Sequence, residues 1–537
     1  MLLATKFWLV PRLNINWDEF YFLTLIHAQA RHELTQGLQT AYTHLFTWLP
    51  RFGGDELEQI RLARVLMVGL LGTSALLLQR LAARWFAPLA AWTAALAFLS
   101  MWPVLKHGGS FRADSLLLPL HLAALLLLTH PRLAARGRGI SAGLLLGLAT
   151  AVSVKTVLLA PIVAVFGISG AKDWRHGLRC LAWLGVSAAA LAAVLLGSHL
   201  LATSPAAAET ATISARGAWQ KTMVESQWIP QRWVLQDQLR VGMITWLAAG
   251  AGLAWALWRR LWPVASGVLA LLPILFYRNT FPYYYVVMWA PACLAIAATA
   301  QGVQEFLFRH GSNTRLTTGA GLALAALLAS PGLRQMPYLS FPRQSQQREL
   351  VAAVHTIFRE PVAYIDHSGM IAAFTKANFF MSSWGVEHYL ALGQPFMPAA
   401  LERYRPPLLI RNRQELMPGS AAFARLLAAD QRMLLSFYQP YWGPIFIAGA
   451  AATFESAGRS ILQLPFGGNY RIESPYPVRI DGNLLEPGSI IAVPDSQLLL
   501  DIAVLAHESP QTVRLLWADA RPPPAIPPSS LDYYDNL

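Results

Sequence analysis

Between about residue 65 and residue 330, apolar runs alternate with short polar connections, and beyond residue 334 the pattern becomes that of an ordinary globular chain. As a helix, an apolar run of about 20 residues spans the ~30 Å hydrocarbon core of a bilayer. The runs at 65–81, 86–103, 115–129, 140–153, 156–168, 179–202, 241–258, 263–276, 283–300 and 316–331 therefore predict about ten spans. Read as one helix, residues 140–168 would be about 43 Å long. Lys155 would then sit near mid-depth, at a cost of about 2.5–3.5 kcal/mol or more. Two short helices meeting at Ser153, Val154, Lys155 and Thr156 remove both problems, and their junction is expected to line a polar cavity.

Outside the spans, 1–64 reads as a first outer loop, with helices at 17–34 and 56–64 lying along the membrane surface. Residues 1–10 are too short for a span and lack a signal peptide's apolar region and cleavage site; they read as the tail of a first span or an interfacial segment. The loop at 203–240 carries Trp219, Trp228 and Trp233 among Lys221, Arg232 and Arg240, the mixture that settles at a membrane interface. The membrane domain, 65–332, is followed by short buried strands around Val362 and Leu408, an amphipathic helix at 419–428 and a strand at 441–448. That pattern predicts a soluble α/β domain over 335–450. Short strands and turns follow, with Asp481-Gly482 as a hairpin signal. They predict a β-sandwich over 451–520, and the Pro-rich tail, 521–537, is expected to be unstructured. The predicted fold class is a polytopic α-helical membrane protein with a C-terminal soluble α/β domain and a small β-sandwich.

Composition agrees with that division. The 537 residues are 55% hydrophobic and 13% charged, against about 25% charged in a soluble domain. A formal charge of +13 would suit a nucleic-acid partner, but the basic residues sit between apolar runs, which marks topology and argues for a lipid bilayer instead. The basic connections 79–84, 132–138, 172–179, 259–260 and 309–315 fall on one side in alternation, the cytoplasmic side by the positive-inside tendency. The other side receives 1–64, 106–114, 203–240, 278–280 and everything after 332. The chain is thus expected to be a multi-pass protein of the cytoplasmic (inner) membrane, with its C-terminal domain on the extracytoplasmic, periplasmic side. Cys180 and Cys293 lie in or beside apolar spans and indicate no disulfide framework.

Ionisable residues crowd the outer side. Asp18 and Glu19 are adjacent carboxylates, which can supply a base with a partner or simply favour a helix N-terminus. Lys106, His107, Arg112 and Asp114 share one short connection with two glycines. The cations suit a phosphate, and Asp114 suits a structural pair or a cation. Lys155 is a further cation at the predicted helix break. Arg278 precedes Tyr283 and Tyr284, which read as an aromatic belt, whereas Arg278 does not. His44 is a weaker candidate. Carboxylates and cations around one outward-facing cavity fit a phosphate-bearing substrate with an acid/base group beside it.

These features resemble the GT-C glycosyltransferases, which include protein O-mannosyltransferases and aminoarabinose transferases acting on lipid A. The likeness covers about residues 14–300. It rests on the acidic pair Asp18 and Glu19, on Arg112 and Asp114 heading a later span, and on Arg278, Pro282, Tyr283 and Tyr284 entering a late span. The resemblance implies an inverting transfer from a polyprenyl-phosphate sugar donor to a lipid, glycan or protein acceptor. It implies Asp18 as catalytic base with Glu19 as partner. Arg112, Lys155, Arg278, Lys106 and His107 would serve the donor phosphate, with Asp114, His44, Tyr283 and Tyr284 in support. Two departures stand out. No span precedes Asp18, and the family's His-Lys or Lys-Pro-Pro phosphate element is represented only by Thr43 and His44, so use of a divalent metal ion stays open. A transporter or flippase of a lipid-linked saccharide predicts internal repeats and polar residues through the full span depth, neither of which the sequence has. A non-catalytic, glycan-binding relative predicts that Asp18 is dispensable.

Overall fold

The computed structural model describes residues 2–37, 39–203, 220–224, 226–340, 344–495, 499–504, 511–525 and 533–534. Trp219 and the rest of 204–219 in the 203–240 loop therefore lie outside the described residues, as does residue 225. Five described helices are long and apolar enough to cross a membrane: Glu56–Ala82, Trp174–Ala202, Arg232–Trp258, Pro282–Arg309 and Thr314–Leu339. Shorter helices, Pro88–Ser100, Ala113–Leu128, Val154–Ser169, Trp262–Phe276 and Ala135–Val152, stand at the other predicted spans. These fall below the roughly 20 residues a full crossing needs, so the ten expected spans correspond to five long helices and five shorter ones. The helix Tyr285–Arg309 is the hub: every residue from Tyr285 to Ala298 is buried.

The break predicted near Lys155 is present. Helix Ala135–Val152 stops at Ser153, whose hydroxyl accepts from Lys155 N at 3.4 Å, and a 3-10 turn, Val154–Leu159, leads into Ala160–Ser169. The expected surface helix at 56–64 is instead the first part of Glu56–Ala82. Asp55 caps that helix through Glu58 N, and buried Leu57, Ile60 and Ala63 give it a packed face from its start, so the chain has no reason to turn at residue 65.

Twelve strands follow among the described residues: β1 Ala363–Ile365, β2 Thr375–Lys376, β3 Leu408–Ile410, β4 Tyr438–Trp442, β5 Ile445–Phe454, β6 Gly458–Gln463, β7 Gly468–Glu473, β8 Val478–Ile480, β9 Asn483–Leu485, β10 Ile490–Val493, β11 Leu499–Val504 and β12 Gln511–Trp517. β1 pairs in parallel with β2 and β3, as an α/β unit should, and β5 lies antiparallel to β3. The expected domain boundary at 450/451 falls inside β5. Its first half pairs with β3 and β4, and its second half pairs with β12. One eight-stranded sheet, β10-β7-β12-β5-β3-β1-β2 with β4 on β5, therefore runs through both predicted domains, and a four-stranded sheet, β6-β11-β8-β9, faces it. The expected strand at 441–448 is a hairpin, because Gly443, at φ 51°, turns the chain. The helix expected at 419–428 lies further on, at Ala428–Ser436.

The segment before Glu56 is clamped between the long helices and this sheet domain. Phe20, Leu23 and Ile26 share one core with Leu57 and Ile60, with Val351 and Val354, and with Tyr364 and Ile447. The Gln347 amide donates to Ile15 O at 2.8 Å and to Tyr533 O at 2.7 Å, and Ile15 N donates back to its carbonyl oxygen at 2.9 Å. The tail is thus not wholly free. Tyr533 and Tyr534 are buried, and the Tyr534 hydroxyl lies 2.6 Å from Ser368 Oγ and accepts from Asn412 Nδ2 at 3.0 Å.

Candidate active site

Helix Trp17–Ala30 starts in a capping box: Asn16 Oδ1 accepts from Asp18 N, and Glu19 Oε2 accepts from Asn16 N. That start sends the two adjacent carboxylates to different places. Glu19 is fully buried, and Arg64 grips it in a fork, Nε to Oε1 at 2.8 Å and Nη2 to Oε2 at 2.6 Å. Phe111 N donates to Oε1 at 2.6 Å as well. Burial opposes the charge, but Arg64 and the two backbone donors outweigh it and hold the Glu19 carboxyl below the usual carboxylate range. With both oxygens doubly bonded, Glu19 has no acceptor position left for chemistry. Glu19 was expected to partner Asp18 in catalysis; its contacts instead tie helix Trp17–Ala30 to Glu56–Ala82.

Asp18 is different. One oxygen, Oδ2, accepts from Arg112 Nη1, while Oδ1 accepts no hydrogen bond from the described residues, and the side chain is 18% exposed. Arg112, just before helix Ala113–Leu128, is nearly buried and lies between two acids, with its Nη2 3.8 Å from Asp114 Oδ2. Asp114 in turn accepts from Lys155 Nζ through both oxygens, at 2.9 and 3.0 Å. The result is an alternating chain, Asp18–Arg112–Asp114–Lys155, drawn from three elements. Tyr283 supports it, with the Arg112 guanidinium 3.4 Å and Lys155 Nζ 5.7 Å from its ring centroid. Tyr284 adds a second face, 5.6 Å from Lys155 Nζ.

The remaining candidates are dispersed. His107 is buried with its ring centre 6.5 Å from that of Tyr283 and Nε2 unpaired among the described residues, so it backs the site from behind. Lys106 lines a small cleft with Lys6, Arg64 and Ser110 that Asp18, Arg112 and Lys155 do not line. His44 is also elsewhere: its Nε2 lies 2.8 Å from His199 Nδ1, and His199 Nε2 lies 2.8 Å from Thr40 Oγ1. This chain ties the 3-10 turn Ala41–Phe46 to the end of helix Trp174–Ala202. Arg278 is paired with Glu387 at 2.5 Å. Among the described residues, no three His, Cys, Asp or Glu side chains are grouped to hold a metal ion. Between Asp18 and Asp114, where a divalent cation would be expected, stands the Arg112 guanidinium, so these residues do not fit one.

Sequence reasoning missed Arg64, Glu387, Lys221, Trp384 and His199. Lys221 carried a signal, as a cation in a Trp-rich loop. Arg64 and His199 were hidden in apolar helices, and Glu387 in a helix with no pattern of its own.

No protein-family model matches the sequence, and no curated protein matches it. Its fold does match solved structures. ArnT from Cupriavidus metallidurans bound to undecaprenyl phosphate superposes with a TM-score of 0.51 at 16% identity, over 69% of this chain and 83% of that one. The apo oligosaccharyltransferase of Archaeoglobus fulgidus gives a TM-score of 0.48 at 13% identity, over 94% of this chain and 76% of that one. The chain has a GT-C-like fold: a polytopic helical membrane part followed by a sheet domain.

Proposed function

We propose that this protein is an inverting membrane glycosyltransferase that takes its sugar from a polyprenyl phosphate and passes it to a lipid, glycan or protein hydroxyl at the outer face of the cytoplasmic membrane. The observation that carries the reading is the contrast between the two neighbouring acids: Glu19 is saturated, whereas Asp18 keeps one oxygen fixed on Arg112 and the other open. A carboxylate held in orientation with a free lone pair suits a general base. Asp18 takes the proton of the acceptor hydroxyl, the oxygen attacks the anomeric carbon, and the bond from that carbon to the phosphate oxygen breaks. The departing polyprenyl phosphate carries the negative charge, and cations preorganised beside the leaving group stabilise it. Lys155, Arg112 and Arg278 supply them. The C-terminal sheet domain, packed over the Asp18 helix, stands on the extracytoplasmic side and excludes water from that face.

The likeness to ArnT, whose structure holds undecaprenyl phosphate, supports the choice of a polyprenyl-phosphate donor. The test is release of polyprenyl phosphate by purified protein from a panel of polyprenyl-phosphate sugars. Turnover on at least one is expected and identifies the sugar. Folded protein that neither binds nor turns over any member refutes the donor class.

A further inference from the structure

Arg278, one of the cations assigned to the leaving group, belongs to a cationic group that the protein fills with its own carboxylate. Glu387, in helix Ser383–Leu392 of the sheet domain, accepts from Arg278 Nη2 through Oε1 at 2.5 Å, and its Oε2 lies 3.1 Å from Lys221 Nζ. Each carboxylate oxygen therefore meets one cation. Trp384, one turn earlier on the same helix, underlies both: its ring centroid is 5.1 Å from the Arg278 guanidinium and 5.2 Å from Lys221 Nζ. Its indole N–H donates to Asn279 Oδ1 at 3.0 Å. The backbone closes the group, since Arg278 N donates to Thr222 O at 3.1 Å and Gln231 Nε2 donates to Arg278 O at 2.9 Å. One carboxylate thus joins the 220–224 turn, the Arg278 connection and the sheet domain.

An anion held between two cations on an aromatic face is also how a phosphate is held. Two features mark the Glu387 contact as exchangeable. Lys221, Arg278 and Glu387 are each about three-tenths exposed, at 26%, 31% and 31%, whereas the structural pairs Glu19–Arg64 and Asp366–Lys376 are sealed. Its two cations also come from different segments, 220–224 and the connection before Pro282, so no shared helix holds them together. Burial disfavours the Glu387 charge, but Lys221 and Arg278 together hold its carboxyl below the usual range, so it stays anionic at neutral pH.

We propose that Glu387 is an internal stand-in for the donor phosphate, which displaces it from Lys221 and Arg278 and thereby releases helix Ser383–Leu392 from the 220–224 turn. The inference rests on the transferase reading only for the identity of the anion, a polyprenyl phosphate. Such a latch makes donor loading and movement of the sheet domain reciprocal: whatever frees the helix tightens donor binding, and donor binding frees the helix.

The experiment titrates undecaprenyl phosphate into the full-length protein in detergent, with undecaprenol as the uncharged control, for wild type, Glu387→Gln and Glu387→Asp. Wild type is expected to prefer the phosphate lipid. Glu387→Gln, which no longer neutralises the two cations, is expected to bind it about tenfold more tightly. Glu387→Asp, a methylene too short to reach both cations, should fall between them and serves where the Gln variant folds poorly. Hydrogen exchange across 383–392 should rise with undecaprenyl phosphate in wild type and be raised already in lipid-free Glu387→Gln. Equal or weaker binding by both variants, or no preference for the charged lipid in wild type, overturns the latch. Absence of sugar turnover alongside an intact affinity shift would count against the transferase reading and leave the latch standing.

Discussion

Arg64→Leu tests the assignment of Glu19 as an anchor. The substitution removes two charge-assisted bonds from a carboxylate with no solvent exposure, leaving it the backbone donors Phe111 N and Asn16 N. Breaking a buried pair from one side costs about 3–5 kcal/mol, because the remaining charge stays uncompensated. Arg64 also donates to the carbonyls of Val10, Leu13 and Asn14; Gln344 reaches the first two as well, so Asn14 O alone loses its donor. That adds toward the upper end of the range. Arg64→Lys keeps the charge but not the fork and should lose about 1.5–3 kcal/mol, the value of one hydrogen bond to a charged group. Since whole domains are stable by about 5–15 kcal/mol, the Leu variant should unfold markedly earlier in equilibrium denaturation in detergent. In Glu19→Gln, the activity that remains should track the folded fraction. A Leu variant within about 1 kcal/mol of wild type, or a stably folded Glu19→Gln without turnover, would refute the reasoning and return Glu19 to the chemistry.

Three further outcomes follow from the same geometry. Asp114→Asn and Lys155→Met should each destabilise more than the double variant implies, with a coupling of about 1–3 kcal/mol in a double-mutant cycle; additive losses would mean the pair is not formed. The hydrogen bond that the His355 ring donates to the Glu56 carboxylate raises the His355 pKa against partial burial. Its stabilisation is therefore complete below the unfolded value near 6.5 and fades as pH rises through the folded value. With a third of the ring exposed, this contributes only about 0.2–1 kcal/mol, visible as a small loss of thermal stability above pH 6.5 that His355→Gln should lack. Tyr534→Phe, which strips partners from Ser368 and Asn412, should cost about 1–3 kcal/mol, whereas an unstructured tail would show no change.

The parts of this fold that could be read from sequence are those in which local chemistry forces the answer. The break at Ser153 and Lys155 is legible because a charge interrupts an apolar run too long for a bilayer, and the Asp481-Gly482 hairpin because both residues need positive φ, 48° and 86°. Asp18, Arg112, Asp114, Lys155 and Tyr283 could be nominated because charges beside lipid need a reason. What stayed hidden depends on partners distant in sequence. Nothing near Glu19 announces Arg64, 45 residues away inside an apolar helix. Nothing in the ten residues of β5 shows that its two halves pair with different neighbours. Tyr533 and Tyr534 are masked by the Pro-rich stretch before them. Arg278 was nominated, but its partner Glu387 lies 109 residues further along the chain.

The central claim is that Asp18 is the base. Single-turnover release of polyprenyl phosphate should be compared between wild type and Asp18→Asn, at saturating acceptor and with the sugar that the panel identifies. Asn keeps the shape and can still meet Arg112, but it cannot accept the acceptor's proton, so the rate should fall by at least ~100-fold with donor binding retained. A rate within a few-fold of wild type would contradict the account and move the chemistry away from the open oxygen of Asp18.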